Sequence, residues 1–309
     1  MSVMRTVFLK ASESVWLRER ATRAGFVRRA VSRFMPGETF EDMVSAARAM
    51  AELGVKAVFT RLGENVKDLS EAEFVARHYL EGIDRVRQLA IDCEPSIKLT
   101  QLGLDINPEL AFGHARAICQ RAHDAGSYVW VDIEQSSYVD VTLDIVRRLR
   151  AEFPRVGVCL QAYLYRTKDD LRDIVARGIG VRLVKGAYKE PAEIAYPKKS
   201  DVDANYLSLA RVMLGPEARA AQSRAVFGTH DTVLIAAIRA HAASASVAAA
   251  GCEFHMLYGI QRGEQLKLAK EGAGVRVLIA YGSYWFPWYM RRLAERPANV
   301  WFVVKSMFG

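Results

Sequence analysis

The sequence predicts one α/β domain, a distorted eight-stranded β/α barrel of the TIM type with extra helices at its N-terminus. Three observations carry that expectation. Eight short apolar runs rich in β-branched residues recur along the chain, and helical stretches separate them. No composition shift divides the 309 residues, of which 51% are hydrophobic and 25% charged. Near-continuous apolar strands alternating with amphipathic helices read as a parallel sheet covered by helices, and eight such units close it. Barrels of this length commonly form one domain. A doubly wound open sheet is the main competitor, but it usually announces itself by GxGxxG after an early strand, and no such motif is present.

Residues 1–50 precede the first strand and are expected to pack as helices on a barrel formed by residues 51–309. Within them, SVWLRERATRAGFVRRAVSRFMPG interleaves Trp16, Leu17, Phe26, Val27, Val31 and Phe34 with arginines. A helix packed on the barrel is one reading, and a helix lying on a membrane surface is the other. Acidic Glu13 and Glu19 argue against a transit peptide. The strands then follow as VKAVFTRLG (55–63), SIKLTQLGL (96–104), SYVWVDIE (127–134), VGVCLQAYLY (156–165), GVRLVKGAY (180–188), AVFGTH (225–230), CEFHMLYG (252–259) and VRVLIAYG (275–282). Segments such as TLDIVRRLRAEF and TKDDLRDIVARG supply the helices between them. The small-residue stretch at 233–251 contains Arg239 and His241, falls short of a membrane span, and reads as a helix with one buried face followed by a turn.

The formal charge of +8 favours an anionic partner, whether a phosphate-bearing cofactor, a nucleic acid or an acidic membrane surface. Arginines dispersed among acids, with no basic-aromatic surface motif, argue against nucleic acid. Cys93, Cys119, Cys159 and Cys252 are far apart and form no CxxC pair. They read as small core hydrophobes in a reducing cytoplasm rather than as a disulfide framework or zinc site.

In a barrel the chemistry sits at the C-terminal ends of the strands. Glu64, Lys98, Gln101, Asp132, Glu134, Gln161, Arg182, Lys185, Thr229, His230, Glu253 and His255 are all expected near that rim, which implies a large polar ligand. Lys98 and Lys185 each suit either a Schiff-base nucleophile or an anion holder. His230 and His255 lack a third histidine or a tight carboxylate spacing, so no metal site is expected. After the eighth strand, YMRRLAERP (289–297) should open the last helix, with Pro287 tolerated in its first turn. Trp288, Arg291, Arg292 and Glu295 then share one face. Two guanidiniums over the mouth would clamp a carboxylate or phosphate. A solvated helix whose local salt bridges are worth about 0.3–0.5 kcal/mol each is the alternative, and the residues alone leave both readings open.

Taken together, FTRLGENV, IKLTQLGL, VDIEQSSYVDVTLDI, VCLQAYLYRTKDDL, VRLVKGAYKEP, FGTHD, EFHMLYGI and YMRRLAERPANVWFVVKS resemble the flavin-dependent proline dehydrogenase family. The likeness runs in order from about residue 55 to the end, and RLVKGAY with YMRRLAER is its most specific combination. The resemblance implies a distorted β/α barrel with FAD across the strand ends and the last helix above the flavin. It implies that Arg291, Arg292 and Lys98 bind the proline carboxylate, that Tyr289 packs on the pyrrolidine ring, and that Asp132, Tyr188 and an apolar wall at Leu183 complete the pocket. It assigns Gln161, Arg182, Val184, Gly186, Thr229, His230 and Glu295 to FAD, with Arg182 near flavin N5, and pairs Glu64 with the first arginine as a closing lid. Electrons would pass to a membrane quinone, and a separate pyrroline-5-carboxylate dehydrogenase would act next. A cytoplasmic enzyme follows, with peripheral membrane contact open to the basic N-terminal helix.

The chain also departs from that family. Leu278 stands where a substrate-touching aromatic residue is expected, Ala280 replaces a proline, and His255 replaces a glutamine. Loss of the aromatic ring opens the pocket to hydroxyproline or another cyclic or N-substituted amino acid. Two other classes remain as competitors: a Schiff-base lyase using Lys98 or Lys185, and a non-catalytic flavin-binding protein on the same scaffold.

Overall fold

The computed structural model describes residues 31–286. The apolar runs form strands β1 Lys56–Arg61, β2 Cys93–Lys98, β3 Val129–Asp132, β4 Val156–Gln161, β5 Gly180–Val184, β6 Ala225–Gly228, β7 Glu253–Leu257 and β8 Gly274–Tyr281. They pair in parallel in chain order, and β8 returns to β1 to close the barrel. Helices α1 Phe40–Ala51, α2 Leu69–Gln88, α3 Pro108–Asp124, α4 Val139–Glu152, α5 Thr167–Ala176, α6 Lys199–Met213, α7 Pro216–Ala220, α8 Thr232–Ser244 and α9 Arg262–Lys270 cover it.

Local chemistry starts several of these helices. Thr39 and Asp42 cap α1 reciprocally, Thr39 Oγ1 accepting from the Asp42 amide at 3.1 Å and Asp42 Oδ2 accepting from the Thr39 amide at 2.9 Å. Asp68 caps α2, and Asn107 caps α3 just before Pro108. Each cap is worth about 1 kcal/mol. Helix α1 lies outside the barrel, packed on β1 and β8, with Phe40 edge-on to Phe59 and Tyr281.

Strand alternation divides the burial in two. Phe59, Val131, Leu183, Phe227, Phe254 and Val277 join the core between barrel and helices. Each buried side chain of this size contributes roughly 1.5–3 kcal/mol. Val58, Trp130 and Val226 point inward and fill the middle of the barrel, with Leu278 packed against them. Trp130 fits because Gly157 is its register partner on β4. A Cβ at 157 would run into the indole.

Two expectations change. The second strand is CEPSIK, 93–98, and the apolar run after it forms a 3₁₀ turn over Leu99–Leu102 that ends at Gly103, φ 97°. Glu94 and Pro95 disguise this strand, and Leu99 and Leu102 are buried against α2 and α3 rather than in the sheet. Glu253 and His255 are not at the C-terminal rim. Strand β7 begins at Glu253, so Glu253 lies at the opposite end of the barrel and His255 in its middle, level with Arg276.

The 233–251 stretch is α8 followed by a short 3₁₀ turn at Ala249–Gly251. No helix among the described residues is long and apolar enough to cross a membrane. All four cysteines are buried free thiols. Among the described residues no group of histidine, cysteine or acidic side chains could hold a metal ion.

Candidate active site

The last residues of β2 and β3, Lys98 and Asp132, are register partners at the mouth, and Arg182 reaches them from β5. Asp132 bonds Lys98 Nζ at 3.4 Å, accepts from Arg182 Nη2, and accepts from Ser96 Oγ at 3.1 Å. Arg182 Nη2 also donates to Ser96 Oγ at 2.7 Å.

Burial would raise the Asp132 pKa, but Arg182 and then Lys98, with the Ser96 hydrogen bond, hold the carboxyl below its usual value. Burial would lower that of Lys98, but Asp132 and then Glu64 outweigh it and hold the ammonium above its usual value. Lys98 is therefore a cation near neutral pH. That suits an anion holder and disfavours the Schiff-base reading, which needs a neutral amine. Lys185 lies in a different network, bonded to Asp203 at 2.5 Å and Asp231 at 2.8 Å, with Lys199 against the same two carboxylates. Lys98 and Arg182 share one carboxylate, so this trio carries one positive charge in excess.

Two buried polar atoms in and beside the trio have no nitrogen or oxygen partner: Nη1 of Arg182, whose guanidinium also lies against the Cys159 thiol, and Gln161 Oε1. Gln161 closes β4 and donates through Nε2 to the Glu134 carbonyl at 3.1 Å. An unpaired buried donor or acceptor costs about 1–3 kcal/mol, so a donor and an acceptor left open at one mouth mark a ligand that offers both. The groove continues past Val184 to Gly186, whose φ of 114° and missing Cβ let the Tyr163 ring lie against the backbone. Beyond β6, Thr229 Oγ1 accepts from the Asp231 amide at 3.1 Å, and His230 Nε2 accepts from the Leu257 amide at 2.8 Å. That second bond fixes the imidazole proton on Nδ1. Across the mouth, Tyr188 Oη donates to Glu64 Oε1 at 3.4 Å.

Lys98, Asp132, Arg182 and Gln161 thus converge, with Glu64, Tyr188, Val184, Gly186, Thr229 and His230 around them. Tyr289, Arg291, Arg292 and Glu295 lie outside the described residues. Leu183 does not face the mouth: Arg182 and Val184 point inward, so the residue between them turns outward into the helix-packed core, fully buried near Tyr206, whose Oη bonds the Leu183 carbonyl. The inward apolar wall is instead Leu257 with its register partner Leu278, both partly exposed to the mouth. Leu257 and Ser96 were missing from the expected site. Period-two counting from Leu278 or Lys98 with the correct register would have found both. Gln101 donates to the Arg61 carbonyl at 3.0 Å, and its Oε1, like that of Gln161, is buried without a hydrogen-bond partner.

A cavity of about 380 Å³ opens at the other end of the barrel. Asp92, Glu94, Arg224 and Arg276 in its wall are tied to one another or to Glu253, so its volume does not mark the reactive site.

A closed parallel barrel with incompletely paired charges at the strand C-terminal ends defines a TIM-barrel enzyme. The proline dehydrogenase family pattern matches residues 43–305. Proline dehydrogenase 1 of Bacillus subtilis is 38% identical over 305 residues, covering 99% of both chains. Proline dehydrogenase of Deinococcus radiodurans is 36% identical over 280 residues, 89% of each. The crystal structure of proline utilization A from Bdellovibrio bacteriovorus inactivated by N-propargylglycine superposes with a TM-score of 0.81 at 23% identity, over 94% of this chain and 36% of that one. The chain belongs to the proline dehydrogenase family, a family of oxidoreductases.

Proposed function

We propose that this enzyme oxidises L-proline to 1-pyrroline-5-carboxylate with FAD bound across the barrel mouth. One observation carries the reading beyond family membership: Lys98 and Arg182 share Asp132, leaving net positive charge beside buried unpaired atoms. The carboxylate of an amino acid and a ring with both donors and acceptors answer those two needs.

Lys98 holds the substrate carboxylate, joined in this reading by Arg291 and Arg292. Asp132 keeps Lys98 and Arg182 apart and aimed. Tyr188, Tyr289 and Leu278 hold the pyrrolidine ring, and Glu64 pairs with the first arginine to close the mouth. Gln161, Arg182, Val184, Gly186, Thr229, His230 and Glu295 hold FAD, and Arg182 Nη1 and Gln161 Oε1 give the cofactor two matched contacts. FAD, when bound, would supply the two-electron oxidant, accepting a hydride from ring C5 while the ring amine gives up its proton. The chain's own service is orientation and exclusion of water, and orientation of this kind is worth about 7–11 kcal/mol of barrier. A membrane quinone as acceptor, peripheral membrane contact and a separate pyrroline-5-carboxylate dehydrogenase downstream complete the reading.

A second substrate is favoured by one position. Leu278 is inward and partly exposed, so a side chain without a hydroxyl or ring borders the pocket, and hydroxyproline or another cyclic or N-substituted amino acid fits beside it. An anaerobic titration of the FAD-loaded protein tests both. Bleaching of the oxidised-flavin band by L-proline but not D-proline supports the main reading. Bleaching by 4-hydroxyproline alone moves the assignment to the second, and a band unchanged by any cyclic amino acid ends both.

A further inference from the structure

Glu134 follows the end of β3 by two residues and is 3% exposed, yet nothing in the proposed chemistry uses it. Both of its oxygens serve one residue. Thr100 Oγ1 donates to Oε1 at 2.7 Å, and the Thr100 amide donates to Oε2 at 3.3 Å. Thr100 is itself fully buried and sits in the 3₁₀ turn two residues after Lys98. The same threonine holds a second segment: Thr100 Oγ1 accepts from the Asn65 amide at 3.1 Å, and its carbonyl accepts from the Val66 amide at 3.0 Å. Asn65 has φ 55°, a left-handed conformation uncommon outside glycine, and it directly follows Glu64. One carboxyl therefore ties together the backbone segments that present Lys98 and Glu64.

We propose that Glu134, acting through Thr100, is the positioning residue that sets Lys98 against Glu64, and that it takes up a proton from solvent when a carboxylate ligand enters the mouth. Burial raises the Glu134 pKa to about 7, with the Thr100 hydrogen bonds and Lys98 opposing and Glu64 reinforcing. The charged and titratable groups around it are Lys98 from β2, Glu64 from the loop after β1, Asp132 on its own strand, and Tyr138, bonded to Asp105, from the connection into α4. Of these, Lys98 is held as a cation and Asp132 as an anion. Near pH 7 Glu134 passes from neutral to charged. As it loses its proton a further carboxylate charge faces the space an incoming carboxylate must share, and binding pulls the proton back.

The inference rests on Lys98 holding a ligand carboxylate, so the probe is tetrahydrofuran-2-carboxylate, a proline-sized ring acid with no amine to titrate. Its affinity for the FAD-loaded enzyme is measured by calorimetry from pH 6 to pH 8, in buffers of different ionisation enthalpy. The expected result is a Kd that rises about 2- to 8-fold across that range, as for one group titrating near pH 7 whose charge lies several ångströms from the ligand's at an effective dielectric between that of water and about 20. Proton uptake should peak between pH 7 and pH 8 at about 0.3 to 0.7 per ligand. Glu134→Gln should flatten both curves, and Thr100→Val should weaken binding and move the pH dependence to higher pH, because it removes a hydrogen bond that holds the Glu134 pKa down. A wild-type Kd independent of pH, with no proton uptake, overturns the role of Glu134 and leaves the clamp intact. Failure of the wild-type enzyme to bind the probe at any pH overturns the clamp and this inference together. The wild-type curves decide the matter even if a variant does not fold.

Discussion

At the N-terminal end of the barrel, Arg224 and Arg276 meet Glu94, Glu253 and Asp92, and all three nitrogens of each guanidinium are bonded. Glu94 also accepts from Trp130 Nε1 at 2.8 Å. At the C-terminal end, Lys98 and Arg182 divide one aspartate and leave a guanidinium nitrogen open. The two ends use the same residue types to opposite effect. A completed network of buried charges fixes a structure, and an incomplete one in the same low dielectric stores affinity for whatever completes it. Barrels generally keep stability at one face and chemistry at the other, and here pairing rather than composition tells the faces apart.

That contrast is most directly broken at the lower end. Glu94→Ala leaves the buried Arg276 and the half-buried Arg224 each short of a partner, and removing one member of a buried set costs about 3–5 kcal/mol. Urea unfolding should show the loss, while the protein that remains folded keeps its KM for proline. Lys98→Ala should reverse the pattern, since truncating one side of a buried charged contact costs about 2–5 kcal/mol of binding. kcat/KM for proline should fall accordingly, with a smaller change in the urea midpoint. If the two variants affect stability and kinetics in the same proportion, the division between the ends is wrong.

His255 sharpens the comparison because it lies between the ends. Burial, aided by Arg182 and Arg224 and opposed by its hydrogen bond to Glu253, pushes its pKa well below 6.5. The folded state thus resists protonation more than the unfolded chain does. Its contribution to stability is complete above pH 6.5 and is lost as pH falls below it, at up to about 1.4 kcal/mol per pH unit. His255→Gln should flatten that part of the acid limb, read from urea midpoints at pH 7.5 and 5.5. The smallest effect belongs to the wall of the mouth: Leu278→Tyr should raise the preference for L-proline over 4-hydroxyproline by up to about 10-fold, measured as the ratio of kcat/KM values.

The barrel was legible because β-branched runs at near-regular spacing leave few alternatives, and the mouth residues at strand ends followed from the fold. Lys98, Asp132 and Arg182 were expected at the rim for that reason, and they lie together there. What failed was register. Strand β2 carries Glu94 and Pro95, so it does not read as apolar, and the apolar residues after it drew the boundary late. Blindness to which face a residue occupies put Leu183 in the pocket in place of Leu257, and Glu253, the first residue of β7, was set at the wrong end of its strand. Glu94 looks like a surface charge until Arg224 arrives from 130 residues away. Long-range pairing of that kind has no local signature.

The plug formed by Val58, Trp130 and Val226, all fully buried, makes the described barrel a vessel stoppered halfway down. A molecule that enters along its axis has to leave through the opening it came in by. Arrival and departure share one doorway, so a slow-leaving product stands in the path of the next substrate.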